Sequence, residues 1–147
     1  MQEVYKKARE FKRKYPGTIT HHRLRKHSKI IEKHLNPGEI VRYVFAGQRN
    51  EKSLDIFETA VIAITNKRIL IAQKRVLFGY FLSSITPDLY NDMQVISNLI
   101  WGRVIIDTVK EVIQISNISK KALPEIETEV TSFMMEAKKK YRRKEDI

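Results

Sequence analysis

Ala60-Val61-Ile62-Ala63-Ile64-Thr65-Asn66-Lys67-Arg68-Ile69-Leu70-Ile71-Ala72 decides the fold. Two apolar, β-branched runs meet at a polar break from Thr65 to Arg68. The runs suit a pleated, half-buried surface better than a helix, and Asn66 tolerates the positive φ of a tight turn. The stretch therefore predicts a β-hairpin. It is a mark of architecture and carries no reaction chemistry.

Outward from the hairpin, strands are expected at Ile40–Gly47, Glu58–Thr65, Arg68–Lys74, Gly79–Ile85, Met93–Leu99, Arg103–Thr108 and Glu111–Ile115. Short strands separated by turn signals predict a mainly β, α+β chain built on a small antiparallel barrel or sandwich of about seven strands. Gln48–Ile56 reads as a polar loop and the least ordered stretch. Leu123, Ile126, Val130, Phe133, Met134, Ala137 and Tyr141 then recur at helical spacing, so a C-terminal amphipathic helix should plug one open end of the barrel. Pro124 fits only its first turn. Glu125, Glu127 and Glu129 near its start and Lys138, Lys139, Lys140, Arg142 and Arg143 at its end complement the helix dipole. Met134 and Met135 read as core filler.

Ahead of the barrel, Gln2 to Tyr15 carries Val4, Ala8, Phe11 and Tyr15 on one stripe, and Pro16-Gly17 ends it. A second helix, capped by Thr18 or Thr20, runs to His34 with Leu24, His27, Ile30, Ile31, His34 and Leu35 toward one side. The two form a basic helical hairpin, whose narrow stripe predicts partial burial against the barrel, a partner or another copy. Asn36-Pro37-Gly38 breaks the chain. The expected division is a basic helical extension at 1–36, the barrel with its closing helix at 37–141, and a basic tail at 142–147.

The 147 residues, 42% of them apolar, suffice for one core. No cysteine is present, which excludes disulfides and thiolate chemistry. The N-terminus has no apolar signal core, and the longest uncharged run, Val76 to Pro87, is too short to span a bilayer. A cytoplasmic protein is expected, at most peripheral to the inner face of the membrane. The formal charge of +11 is segregated, with +8 in residues 1–35, −1 in 36–137 and +4 in 138–147. Basic ends flank a neutral barrel, an arrangement that draws in anions at low salt.

The hairpin motif, with the order of segments from Leu35-Asn36-Pro37-Gly38-Glu39 onward, resembles the bacterial pleckstrin-homology-like domains sometimes classed as YokE-like. In these a Thr-Asn-Lys-Arg turn joins two central strands of a small barrel. The resemblance spans roughly residues 37–140 and implies the fold and a binding role. In that family the loop after the first strand often carries the ligand. Here Arg49 and Lys52 in that loop are offset by Glu51 and Asp55, and the closing helix lacks the tryptophan of the eukaryotic domains, since Trp101 lies between predicted strands. Inositol-lipid recognition is therefore not carried over. Thr65, Asn66, Lys67 and Arg68 match the motif and are read as structural, because a polar turn must face water.

Catalytic constellations are missing from the pattern. His21, His22, His27 and His34 cluster in the second helix, but Glu32 alone adds too little to make a metal site, so they read as surface or interface residues. Asp88 and Asp92 flank Tyr90 in a polar turn. Ser83-Ser84 and Asp107-Thr108 have no barrel histidine to act as base. The five glycines form no phosphate loop. No enzyme, cofactor, metal or small-molecule substrate is expected. The reading that remains is a non-enzymatic binding module, docking a protein partner or a copy of itself. Peripheral binding to anionic lipid follows, through Lys6, Lys7, Lys12, Arg13 and Lys14 and the C-terminal cations Lys138, Lys139, Lys140, Arg142, Arg143 and Lys144. Non-specific nucleic-acid binding through Arg23, Arg25, Lys26 and Lys29 ranks third.

Overall fold

A computed structural model describes residues 2–49, 59–74 and 79–145, with side chains through Lys140 in the last segment. Helices α1 (Glu3–Lys14) and α2 (His21–His34) precede strands β1 (Val41–Arg49), β2 (Thr59–Thr65), β3 (Ile69–Lys74), β4 (Tyr80–Ile85), β5 (Tyr90–Ser97), β6 (Trp101–Thr108) and β7 (Val112–Ser119). A short 3-10 turn, Lys120–Ala122, leads into α3 (Leu123–Glu145). The strands form one antiparallel sheet ordered β4-β3-β2-β1-β7-β6-β5. It curls into a half-barrel.

The concave face holds the main core. Ala60, Ile62 and Ile64 of β2, Ile69 and Ile71 of β3, Val104 and Ile106 of β6 and Ile113 and Ile115 of β7 meet Ile126, Val130, Phe133 and Met134 of α3. The closing helix thus covers the trough as its periodicity requires. Met135 departs from its expected core role: it is 58% exposed, because it falls on the solvent side of α3; Ala137 is half-buried, and the side chain of Tyr141 lies outside the described residues.

A second core lies on the opposite face. Val44 and Ala46 of β1, Val61 and Ala63 of β2 and Leu70 and Ala72 of β3 pack against Val4, Tyr5, Ala8, Leu24, Ile30 and Ile31 of the helical hairpin. Every residue of β2 is therefore buried. This explains why the decisive stretch is continuously apolar rather than alternating. The alanines also have a reason, since small side chains let a helix approach a sheet closely. The hairpin is buried along this one stripe, where Val4, Ala8 and Ile31 are completely enclosed, and is exposed on its other faces.

Phe11 links the two cores. Among the described residues β1 pairs with β7 only at Gln48 and Arg49, opposite Ser116 and Ile115, and the first half of β1 has no described strand on that side. Phe11 belongs to the inner core, with ring centroids 5.4 Å from Tyr15 and 6.4 Å from both Tyr43 and Phe45. Where β1 does reach β7 the approach is tight. A Cβ on Gly47 would lie 2.8 Å from the Ser116 carbonyl oxygen and 2.5 Å from Ile115.

Several strand limits differ from the sequence reading. Gln48 and Arg49 lie in β1 rather than a loop, and the rest of that expected loop is outside the described residues. Trp101 opens β6 instead of lying between strands. β7 continues past Ile115 to Ser119 because a bulge at Asn117 (φ 56) restores pairing with β6, where Gly102 faces Ile118.

Candidate functional site: a basic cleft between α1 and α2

The hairpin turn is built differently from its sequence reading. Asn66 does not supply a positive φ; among the described non-glycine residues only Asn117 has one. Instead its side-chain oxygen accepts from the Ile40 amide at 2.8 Å, tying the turn to the segment leading into β1. Thr65 is buried, and its hydroxyl accepts from the amides of Lys67 and Arg68 at 3.0 Å each. Arg68 does not face water either. It donates to the Glu39 carboxylate at 3.1 Å and to the His34 carbonyl at 2.7 Å, and the two side chains are only 15% and 1% exposed. Burial pushes the Glu39 carboxyl up, but hydrogen bonds from Arg68, the Asn36 amide and Thr65 outweigh it and hold it below the ordinary range. The motif thus locks α2, β1 and the β2–β3 hairpin together, and of its charged groups only Lys67 is exposed.

With its apolar stripe against the sheet, the helical hairpin must turn its other faces outward. Thr20 caps α2 by accepting from the Arg23 amide at 3.2 Å. α1 has no such cap of its own; Glu32 of α2 accepts from the Val4 and Tyr5 amides at 3.0 and 3.4 Å. The one acid of α2 is therefore committed to structure. Lys6, Arg9, Lys12 and Arg13 of α1 then line a cleft of about 610 Å³ with Pro16, His21 and a single carboxylate, Glu10. The guanidiniums of Arg9 and Arg25 both approach the Tyr5 ring, at 4.9 and 5.4 Å from its centroid, which gathers two cations from two helices around one aromatic side chain.

A second basic pair adjoins α2. Lys26 lies close enough to Lys74 of β3 to pull the Lys74 amine below its ordinary range, by hydrogen bonding and by charge repulsion. His27 is buried beneath this edge. Its Nδ1 donates to the Arg23 carbonyl at 2.6 Å, and burial, reinforced by Lys74, Arg23 and Lys26, holds the imidazole below its usual range. His34 instead contacts the Ile30 carbonyl and the Tyr80 hydroxyl. Among the described residues no group of three or more His, Cys, Asp or Glu converges as a metal site.

The candidate cations are not all brought together. Lys6, Lys12 and Arg13 share the cleft, and Arg25 reaches Tyr5 beside it. Arg23, Lys26 and Lys29 are exposed on α2. Lys7 and Lys14 fall on the other side of α1, facing Arg42, Tyr43 and Glu125, where Lys14 is ion-paired to Glu125 at 2.5 Å. Lys138 and Lys139 are exposed on α3, and Lys140 lines a separate 220 Å³ hollow with Asn66, Lys67 and Glu136. Arg142 and Arg143 have side chains outside the described set. Arg49, expected in a ligand loop, is buried and paired with Glu111 at 3.2 Å. Sequence reading missed Arg9 and Lys74. Arg9 was legible, since it lies three residues after Lys6 and four before Arg13, whereas Lys74 joins α2 only through the sheet.

A curled seven-stranded antiparallel sheet with an amphipathic helix across its trough defines a pleckstrin-homology-like binding domain. The chain belongs to the bacterial PH domain family, whose sequence model matches residues 35–131. No curated protein matches it. Among solved structures it is similar to a pleckstrin homology domain from Shewanella amazonensis SB2B, at 11% identity over 74% of this chain and 86% of that one, with a TM-score of 0.49. No helix among the described residues is long and apolar enough to cross a membrane.

Proposed function

We infer that the protein is a non-enzymatic binding module that attaches peripherally to anionic lipid surfaces through the outward face of α1 and α2. One observation carries this reading: Lys6, Arg9, Lys12, Arg13 and His21 converge on a cleft that holds a single acid. The hairpin's apolar stripe is already used against the sheet, which removes it as a docking face for a partner. Basic side chains next to an anionic bilayer contribute about 1 kcal/mol each, so the residues of this face are enough for reversible attachment.

The test is co-sedimentation of the full chain with vesicles of phosphatidylglycerol and phosphatidylcholine at about 0.15 M salt, where weak surface charge effects are already screened. Binding should exceed that to pure phosphatidylcholine, fall with added salt, and weaken roughly tenfold or more in Arg9→Glu/Arg13→Glu. Equal binding to both lipid mixtures overturns the reading. Duplex DNA bound with a steep salt dependence, without vesicle binding, would move it to nucleic acid.

A second reading rests on β4. It is one edge of the sheet among the described strands, and Tyr80 and Phe81 on it are each 47% exposed. Strand addition there would join a protein partner or a second copy. A solution mass above 17.3 kDa that falls to the monomer value in Tyr80→Ser/Phe81→Ser supports it.

A further inference from the structure

The turn between β5 and β6 carries an apolar tip where surface turns are ordinarily polar. It is closed by the Asn98 amide donating to the Trp101 carbonyl at 2.9 Å, so Leu99 and Ile100 occupy the two central positions. Neither takes a positive φ, so the backbone does not demand Asn or Gly at these positions. The apolar character of the tip is a matter of its surface. Leu99 is 89% exposed and Ile100 67%, two large aliphatic side chains in a row. Trp101 follows at the base of the tip, half-buried, opposite Ser119 of β7.

The surroundings are basic. Lys120 donates to the Leu99 carbonyl at 3.0 Å, holding its ammonium beside the tip, and Lys121 is exposed next to it. Between Met93 and Ile106, and between Val112 and Pro124, the sequence has Arg103, Lys120 and Lys121 and no acid. Ser119, the partner of Trp101, also lines a small cavity with Lys12, Gly17 and Thr18, so the α1–α2 loop adjoins the same end of the molecule. That loop region, from Lys12 to Arg25, is acid-free as well.

An apolar tip, an indole at its base and a collar of lysines match the layers of an anionic bilayer, with hydrocarbon deepest, aromatic rings at the interface and ammonium groups at the phosphates. We propose that the Leu99-Ile100 turn inserts into the outer layer of an anionic membrane, with Trp101 at the interface and Lys120 and Lys121 on the lipid phosphates. The proposal rests on the anionic-surface reading and adds a non-electrostatic anchor to it.

Trp101 is the only tryptophan in the chain, so its fluorescence reports on the tip directly. Full-length protein is mixed with vesicles of equal phosphatidylglycerol and phosphatidylcholine, with and without brominated acyl chains, beside the variant Leu99→Ser/Ile100→Ser. The exposure of both side chains makes that variant fold normally, which its thermal melting checks. Insertion predicts a blue shift of Trp101 emission, quenching by bromine, and binding weakened roughly tenfold or more in the variant. Vesicle binding with unmoved Trp101 emission and an unaffected variant overturns insertion and leaves the electrostatic reading standing. Absence of vesicle binding by the wild type overturns both. A wild-type dimer that the variant converts to monomer assigns the tip to a second copy and also overturns insertion.

Discussion

The two halves of the sheet are covered differently. β1, β2 and β3 are sealed by α3 on the inside and by α1 and α2 on the outside. β5, β6 and β7 turn the partly buried Met93 and Val95 and the buried Val104, Ile106, Ile113 and Ile115 inward, while Gln94, Arg103, Ile105, Asp107 and Gln114 lie on the other face. β2 and the start of β3 read as unbroken apolar runs, whereas charged and amide side chains interrupt β5, β6 and β7. The difference sorts stability from function. Covering the first half uses up the apolar stripe of the helical hairpin and leaves its cations outward, and the open half projects an apolar tip that no described residue covers.

The largest expected effect breaks the comparison outright. A chain beginning at Asn36 should lose cooperative unfolding and bind a dye for exposed apolar surface, because Val61, Ala63, Leu70 and Ala72 lose their cover. If it melts cooperatively near the full-length midpoint, the outer core is dispensable. A paired substitution sharpens the contrast. Phe11→Ala, which empties the site joining both cores, should cost about 3–5 kcal/mol in urea denaturation. Ile105→Ala, half-buried on the open face of β6, should cost about 1 kcal/mol or less. Similar losses would show that the two halves are equally supported.

The smallest effect concerns pH. His27 is held below its usual range in the folded protein, so between its folded value and the ordinary 6.5 the unfolded chain binds more protons. Stability from a neutral buried imidazole is therefore full above about pH 6.5 and declines as pH falls through that window. His27→Gln should flatten the dependence of the melting temperature on pH between about 7 and 5. Glu39 acts in a separate, more acidic window, because its carboxyl is held below its ordinary range and its contribution is lost only as pH falls past it.

Local pattern was enough for the elements themselves. The Thr65–Arg68 break placed the hairpin, Leu123 to Met134 placed the closing helix, and Pro16-Gly17 placed the bend between the N-terminal helices. Contacts that join distant segments were not legible. Arg68 reads as a turn residue facing water until Glu39 and the His34 carbonyl are brought beside it. Asn66 reads as a source of positive φ until its side chain is seen holding the Ile40 amide. Most of the candidate cations were legible as a list, Arg9 excepted, but not their division, with Lys7 and Lys14 turned toward β1 and α3 while Lys6, Lys12 and Arg13 share a cleft with Arg9.

The sequence by itself determined which segments are strands and helices, because apolar spacing, caps and turn residues act over a few positions along the chain. Only the tertiary structure decided what covers the outer face of β2, which cations share a surface, and that Leu99 and Ile100 are left in solvent. Burial and charge proximity depend on residues tens of positions apart, and local pattern along the chain does not encode them.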